Sequence, residues 1–181
     1  MNNIKSRNLI LIVGYSGAGK TTIATKICQK YNLPLLSEDN FIFKMHPHTM
    51  ITRVADGEAR RFGMQNLFSV LGNYMATDRS IVVEGALVDG PATLVDFQAL
   101  AKAHHYNFVP IMLTAESKQR RKRKKRKKGY VIPRKLDNRL IRAAEPLKYN
   151  ETCTIVDNTK LSEKKTLAAI EDIIRHRSST G

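Results

Sequence analysis

Five short apolar runs recur along the chain, each closed by polar residues or glycine and most followed by apolar positions at helical spacing. Residues 9–13 (LILIV) are continuously apolar, as expected of a strand covered on both faces. Residues 21–31 place Ile23, Ala24, Ile27, Cys28 and Tyr31 on one helical face. A short second strand at 33–36 ends in Ser37-Glu38-Asp39-Asn40, and residues 41–57, around Pro47, read as irregular. Residues 58–75 predict a helix with Met64, Leu67, Phe68, Leu71, Tyr74 and Met75 inward. A third strand at 80–83 is stopped by Glu84-Gly85, and Pro91 opens a helix whose apolar face uses Leu94, Val95, Phe97, Leu100 and Ala101. A fourth strand covers 108–113, a helix is expected near 134–144, and a fifth strand at 153–156 precedes a final helix striped by Leu167, Ile170, Ile173 and Ile174. Strands alternating with helices imply parallel crossovers, hence an α/β chain with a five-stranded parallel sheet in a three-layer α/β/α sandwich. No repeat or long linker divides the chain, so residues 1–181 read as a single domain.

The segment after the first strand carries the strongest chemistry. Gly14-Tyr15-Ser16-Gly17-Ala18-Gly19-Lys20-Thr21 fits GxxxxGK[ST] at every required position, with the required strand before it and helix after it. Binding a triphosphate demands successive backbone N–H groups turned inward around an anion, and glycines permit both the turn and the close approach. The positive end of the following helix adds to the attraction. Lys20 neutralises phosphate charge and Thr21 offers a hydroxyl to Mg²⁺, so Gly14 through Thr22 are expected to hold ATP and Mg²⁺.

Composition supports a folded chain, at 42% hydrophobic and 26% charged residues. No run approaches the length of a membrane span, and the first residues lack the form of a signal peptide, so a cytoplasmic location is expected. Cys28 and Cys153 sit in apolar patterns and read as small core residues in a reducing compartment. Charge changes the picture more. The chain has 31 Lys+Arg against 16 Asp+Glu, but residues 118–128 (KQRRKRKKRKK) alone supply ten basic side chains in eleven positions. Without that run, 21 basic residues face 16 acidic ones, a net of only +5.

With its GYSGAGKTT loop and no Asn-Lys-x-Asp guanine-reading motif, the chain resembles small P-loop kinases rather than GTPase switches. The segment Leu36-Ser37-Glu38-Asp39-Asn40-Phe41 is similar to the acidic motif after strand two in polynucleotide kinases and their AAA-type relatives. That resemblance implies Asp39 as the base that accepts the proton of the attacking hydroxyl, with Glu38 the nearest competitor. It implies Glu84, in the pattern hhhEG, as the residue that orients a Mg²⁺-bound water or the acceptor. Glu84 as base with Asp39 on the acceptor is the other assignment. Polynucleotide kinases commonly carry an arginine three residues after the aspartate; this chain has Ile42 there, with Lys44 or Arg53 as substitutes.

The basic run occupies the place of the lid in the resembling kinases, about residues 116–145, whose arginines close over the phosphates; Arg123 and Arg126 take that role by resemblance. Asp157-Asn158-Thr159 is similar to the loop near the adenine, which brings Asn158 into the nucleotide site. Ten positive charges exceed what ATP requires. A nucleic-acid acceptor lying along the lid accounts for the density, because phosphates relieve the repulsion and release counterions. A solvated helix face, a nuclear localisation signal and general attraction of a small phosphorylated substrate are the competing readings. His46 and His48, beside Pro47, are minor candidates as ligands or acid–base groups. The expected activity is transfer of the γ-phosphoryl group of ATP to a hydroxyl on nucleic acid, at a 5′ end or on a modified base, as in phage-type kinases for 5-hydroxymethyluridine in DNA. A kinase of a free nucleoside, nucleotide or other small metabolite is the alternative, and a nucleic-acid-binding ATPase switch a third.

Overall fold

The computed structural model describes residues 7–44, 57–85, 91–126, 138, 141, 142 and 144–178. Strand β1 (Asn8–Gly14) is buried along its whole length, as its unbroken apolar run requires. It lies at the centre of a five-stranded sheet with β2 (Leu35–Ser37), β3 (Ile81–Glu84), β4 (Asn107–Thr114) and β5 (Thr154–Asp157). The strand order is β2-β3-β1-β4-β5, and every neighbouring pair is parallel. Parallel neighbours need crossovers, supplied by α1 (Lys20–Tyr31), α2 (Gly57–Met75), α3 (Pro91–Ala103) and α4 (Ser117–Arg126), and a last helix, α5 (Glu163–Ser178), follows β5. α1 packs on β1, β2, β3 and α5, while α5 covers β4 and β5. α2 and α3 meet through Phe68 and Phe97, whose ring centroids are 4.8 Å apart. Burial of a side chain such as Phe97 contributes roughly 3 kcal/mol. The result is the expected three-layer α/β/α sandwich.

Differences from the sequence reading are local. In α2, Ala59, Gly63, Leu67, Leu71 and Met75 form a buried row at four-residue spacing, which turns Tyr74 outward to 39% exposure. In α3, Leu94, Phe97 and Ala101 face the core, whereas Val95 is 60% exposed. Residues Asn40–Lys44 form a π-helical turn, not an irregular segment, and fully bury Ile42. The first part of the basic run is helix α4. Most of the helix expected at 134–144 lies outside the described residues, and Glu145–Tyr149 is a 3₁₀ turn with Pro146 in its first positions.

The ends of the strands opposite the glycine loop are fixed by polar contacts. Buried Asn8 receives a hydrogen bond from Asn107 Nδ2 (2.8 Å) on its Oδ1, and its backbone N–H donates to Ser80 Oγ (3.1 Å). Asn107 Nδ2 also donates to the Arg177 carbonyl at the end of α5 (2.9 Å). The Tyr106 hydroxyl lies 2.9 Å from the Met75 carbonyl and 3.0 Å from that of Arg79. These contacts tie the starts of β1 and β4 to Ser80, just before β3, and to the end of α5.

Both cysteines are buried and unbonded to each other. Burial pushes the thiol of Cys28 up to about 12 and that of Cys153 up to about 11. Reaction of the native protein with a disulfide reagent at pH 8 should therefore be slow at both sites and become fast on denaturation. Native thiols reacting at the rate of a free cysteine would contradict this packing.

Candidate functional site

The site forms where β1 ends. Gly14 has φ 132°, and a Cβ there would overlap the carbonyl oxygen of Leu113 on β4, so a side chain has no room at this exit. The loop then turns at Gly17 (φ 80°) and enters α1 from Gly19 (φ 103°), both left-handed conformations that favour glycine. The turn closes with Ala18 N–H donating to the Tyr15 carbonyl at 3.0 Å. Lys20 reaches back across the loop, its Nζ donating to the same carbonyl at 3.3 Å. An ammonium held within the loop, at the positive end of a twelve-residue helix, suits an anionic ligand.

The parallel register brings acidic residues alongside. Glu84, opposite both Ile12 and Ser37, ends β3 and is 4% exposed. Its Oε1 accepts from Ser37 Oγ at 2.7 Å and its Oε2 from Thr21 Oγ1 at 3.3 Å. A carboxylate and a hydroxyl so paired beside a phosphate loop are oxygen donors of the kind that a hydrated Mg²⁺ takes. Among the described residues no cluster of three or more His, Cys, Asp or Glu is placed to hold a metal ion.

At the end of β2 the chain places its two acids differently. Glu38 is buried and pairs with Arg60 of α2, Nη2 to Oε1 at 3.3 Å, whereas Asp39 is exposed one residue further on. Glu38 also presses against Gly85, where any Cβ would overlap its carboxylate. A narrow groove lined by Glu38, Met64, Glu84, Gly85 and Phe97 lies next to the loop. Two buried carboxylates lie at one end of it and apolar side chains at the other. Lys44 is exposed at the end of the π-helical turn, while His46, His48 and Arg53 lie outside the described residues.

Helix α4 closes the other side. Arg120 is 4% exposed; its Nη1 donates to the Ser16 carbonyl (3.2 Å), its Nη2 to Ser117 Oγ (3.1 Å), and its guanidinium carbon lies 5.2 Å from the Tyr15 ring centroid. Arg123 donates to the Ala18 carbonyl (3.1 Å) and clamps Asn158 at both Oδ1 (2.9 Å) and the main-chain carbonyl (3.0 Å). Asn158, buried in the loop after β5, donates from Nδ2 to the same Ala18 carbonyl at 2.7 Å. The Tyr15 hydroxyl donates to Glu145 Oε2 at 2.6 Å, so α4 and the 3₁₀ turn at 145–149 both hold the loop. Arg126 ends α4, and its side chain lies outside the described residues.

The structure thus gathers Gly14 through Thr22, Glu84, Arg123 and Asn158 around one turn, whereas Asp39 is exposed after β2. Arg60, Arg120, Ser37 and Glu145 were not legible as site residues. Arg60 had one available signal, a cation immediately beside the buried four-residue row of α2. Arg120 was hidden among nine other basic residues, and only its three- and four-residue spacing from Ser117 and Lys124 marks it.

Comparisons with known proteins agree with this architecture. A family model described as AAA domain matches residues 9–147. A sugar kinase from Janibacter sp. HTCC2649 superposes with a TM-score of 0.71 at 18% identity, over 94% of this chain and 98% of that one. A gluconokinase from Sinorhizobium meliloti 1021 gives 0.73 at 14% identity, over 96% and 94%. A chain of the Pnkp1/Rnl/Hen1 RNA repair complex gives 0.64 at 15% identity, over 80% of this chain and 46% of that one. No curated protein sequence matches. At these identities the solved structures establish the P-loop kinase fold, and the family match, spanning most of the sequence around the phosphate loop, makes the chain a member of the AAA domain family.

Proposed function

We propose that the protein is an ATP- and Mg²⁺-dependent kinase that phosphorylates a hydroxyl on nucleic acid, at a 5′ end or on a modified base, and that residues 1–181 work as one domain with a lid at about 116–145. The observation that carries this reading is the anchoring of a ten-charge basic run directly on the phosphate loop, through Arg120 to Ser16 and Arg123 to Ala18. A polyanionic acceptor held by that run is delivered to the loop's open side. The likeness to a chain of an RNA repair complex supports it.

Bound MgATP supplies the phosphoryl group. Lys20 and the loop amides hold phosphate charge, Thr21 and Glu84 fix the metal and its water, and Arg123, with Arg126 next on the lid, offsets charge developing on the transferred group. Asp39, exposed at the rim where an acceptor arrives, takes the hydroxyl proton. Glu38, neutralised by Arg60, orients the acceptor from within the groove. Asn158 lines the nucleotide side.

A second reading is a kinase of a small metabolite. It is favoured by the likeness to a sugar kinase and a gluconokinase. Incubation with labelled ATP and a panel of oligonucleotides, nucleosides and sugars separates the two. Label on oligonucleotides is the expected outcome; label on small acceptors alone supports the second reading, and release of free phosphate alone supports an ATPase switch.

Two sets of variants test the roles. Lys20→Ala should abolish transfer to every acceptor, and residual activity near wild type would refute the site. Asp39→Asn should lower kcat about 10²- to 10⁴-fold with ATP affinity unchanged. A full rate there, with the loss appearing in Glu38→Gln or Glu84→Gln, would move the base to that residue. Gly85→Ala forces Glu38 away from Arg60, so it should destabilise the fold by about 1–3 kcal/mol and raise KM for the acceptor while sparing ATP binding. An unchanged acceptor KM would remove Glu38 from the acceptor site.

A further inference from the structure

Helix α4 reads SKQRRKRKKR, without one acidic residue, yet its cations are not equivalent. Arg120 is buried, and Arg123 and Lys124 are half-buried against the phosphate loop, where a Cβ on Gly17 would meet the Arg120 carbonyl at 2.9 Å and the Lys124 side chain at 3.1 Å. These positions share one face by their three- and four-residue spacing. Lys118, Arg121 and Lys122 share the opposite face by the same rule, and all three are exposed. Among the described residues none of the three has an ion-pair partner. Lys118 and Lys122 repel one another at i,i+4, and cations in the first turns oppose the helix dipole. Nothing within the described fold relieves that repulsion.

We infer that α4 is a two-faced helix: its inner cations brace the phosphate loop, and Lys118, Arg121 and Lys122 form a docking face for the phosphate backbone of a nucleic-acid strand. The occupant follows from charge complementarity, since three exposed cations on one helical face match a repeating anion better than a single phosphate. α4 contains no aromatic residue, so this face reads backbone charge and not base identity. The inference rests on the nucleic-acid reading above and divides the basic run into a part that serves the nucleotide and a part that serves the acceptor.

The test is the triple variant Lys118→Ser, Arg121→Ser, Lys122→Ser, compared with wild type by fluorescence anisotropy on a labelled twelve-nucleotide single strand. Titrations from 50 to 200 mM salt give the slope of log K against log salt, and MgATP binding is measured in parallel. Loss of three phosphate contacts should flatten the slope by about 2, at ~0.7 per contact, with MgATP affinity within twofold of wild type. An unchanged slope in a variant that still binds MgATP overturns the inference, even if wild type phosphorylates oligonucleotides. Oligonucleotide binding lost only together with MgATP binding overturns it too, by showing that the two faces are not separate. Attachment to phosphatidylserine vesicles in place of the oligonucleotide overturns the choice of partner. If wild type binds the strand through this face but transfers no phosphate to it, the docking face stands and the proposed acceptor fails.

Discussion

The site depends on the parallel register of three strands. With β1 held between β3 and β4, Ile12 lies opposite Glu84 and Gly14 opposite Leu113, so the chain leaves the sheet at a point where only glycine fits. That exit commits the next residues to a tight loop whose amides converge, and it sets α1 to begin with its positive end at the same place. The same register delivers Ser37 and Glu84 from neighbouring strands, and Asn158 from just past β5, to one edge. The polar contacts of Asn8, Tyr106 and Asn107 on the far edge keep that register from slipping.

A second layer of organisation comes from α4. A helix this rich in positive charge has little reason to fold on its own; what holds it is capture of Arg120 and Arg123 by carbonyls of the phosphate loop and by Asn158. The loop is held in return: Ser16 and Ala18 receive these bonds, and Tyr15 is fixed between the Arg120 guanidinium and Glu145. Residues from α4 and from the 3₁₀ turn at 145–149 therefore both touch the phosphate loop.

The sequence disclosed the parts set by strong local rules. A continuous LILIV run, a GxxxxGK[ST] loop and alternating strand and helix patterns sufficed for the layer architecture and the phosphate loop. Single-residue shifts in helical phase were beyond its reach, so Val95 and Tyr74 were assigned to the core although their neighbours Leu94 and Met75 fill it. The acids after β2 show why site roles are harder than motifs. Glu38 and Asp39 are adjacent and chemically alike, but a single step along the chain decides that one is buried against Gly85 and Arg60 and the other meets solvent. Likewise, ten basic residues in eleven positions conceal which of them point inward, a distinction made by packing against Gly17 and not by composition.

The central claim is that the turn from Gly14 to Thr21 grips the phosphates of a nucleotide. Titration calorimetry of the full chain with ATP, in the presence and absence of Mg²⁺, tests it most directly. Saturable one-to-one binding that strengthens with Mg²⁺ is the predicted result; no heat of binding at millimolar ATP, from protein shown to be folded by circular dichroism, would contradict it.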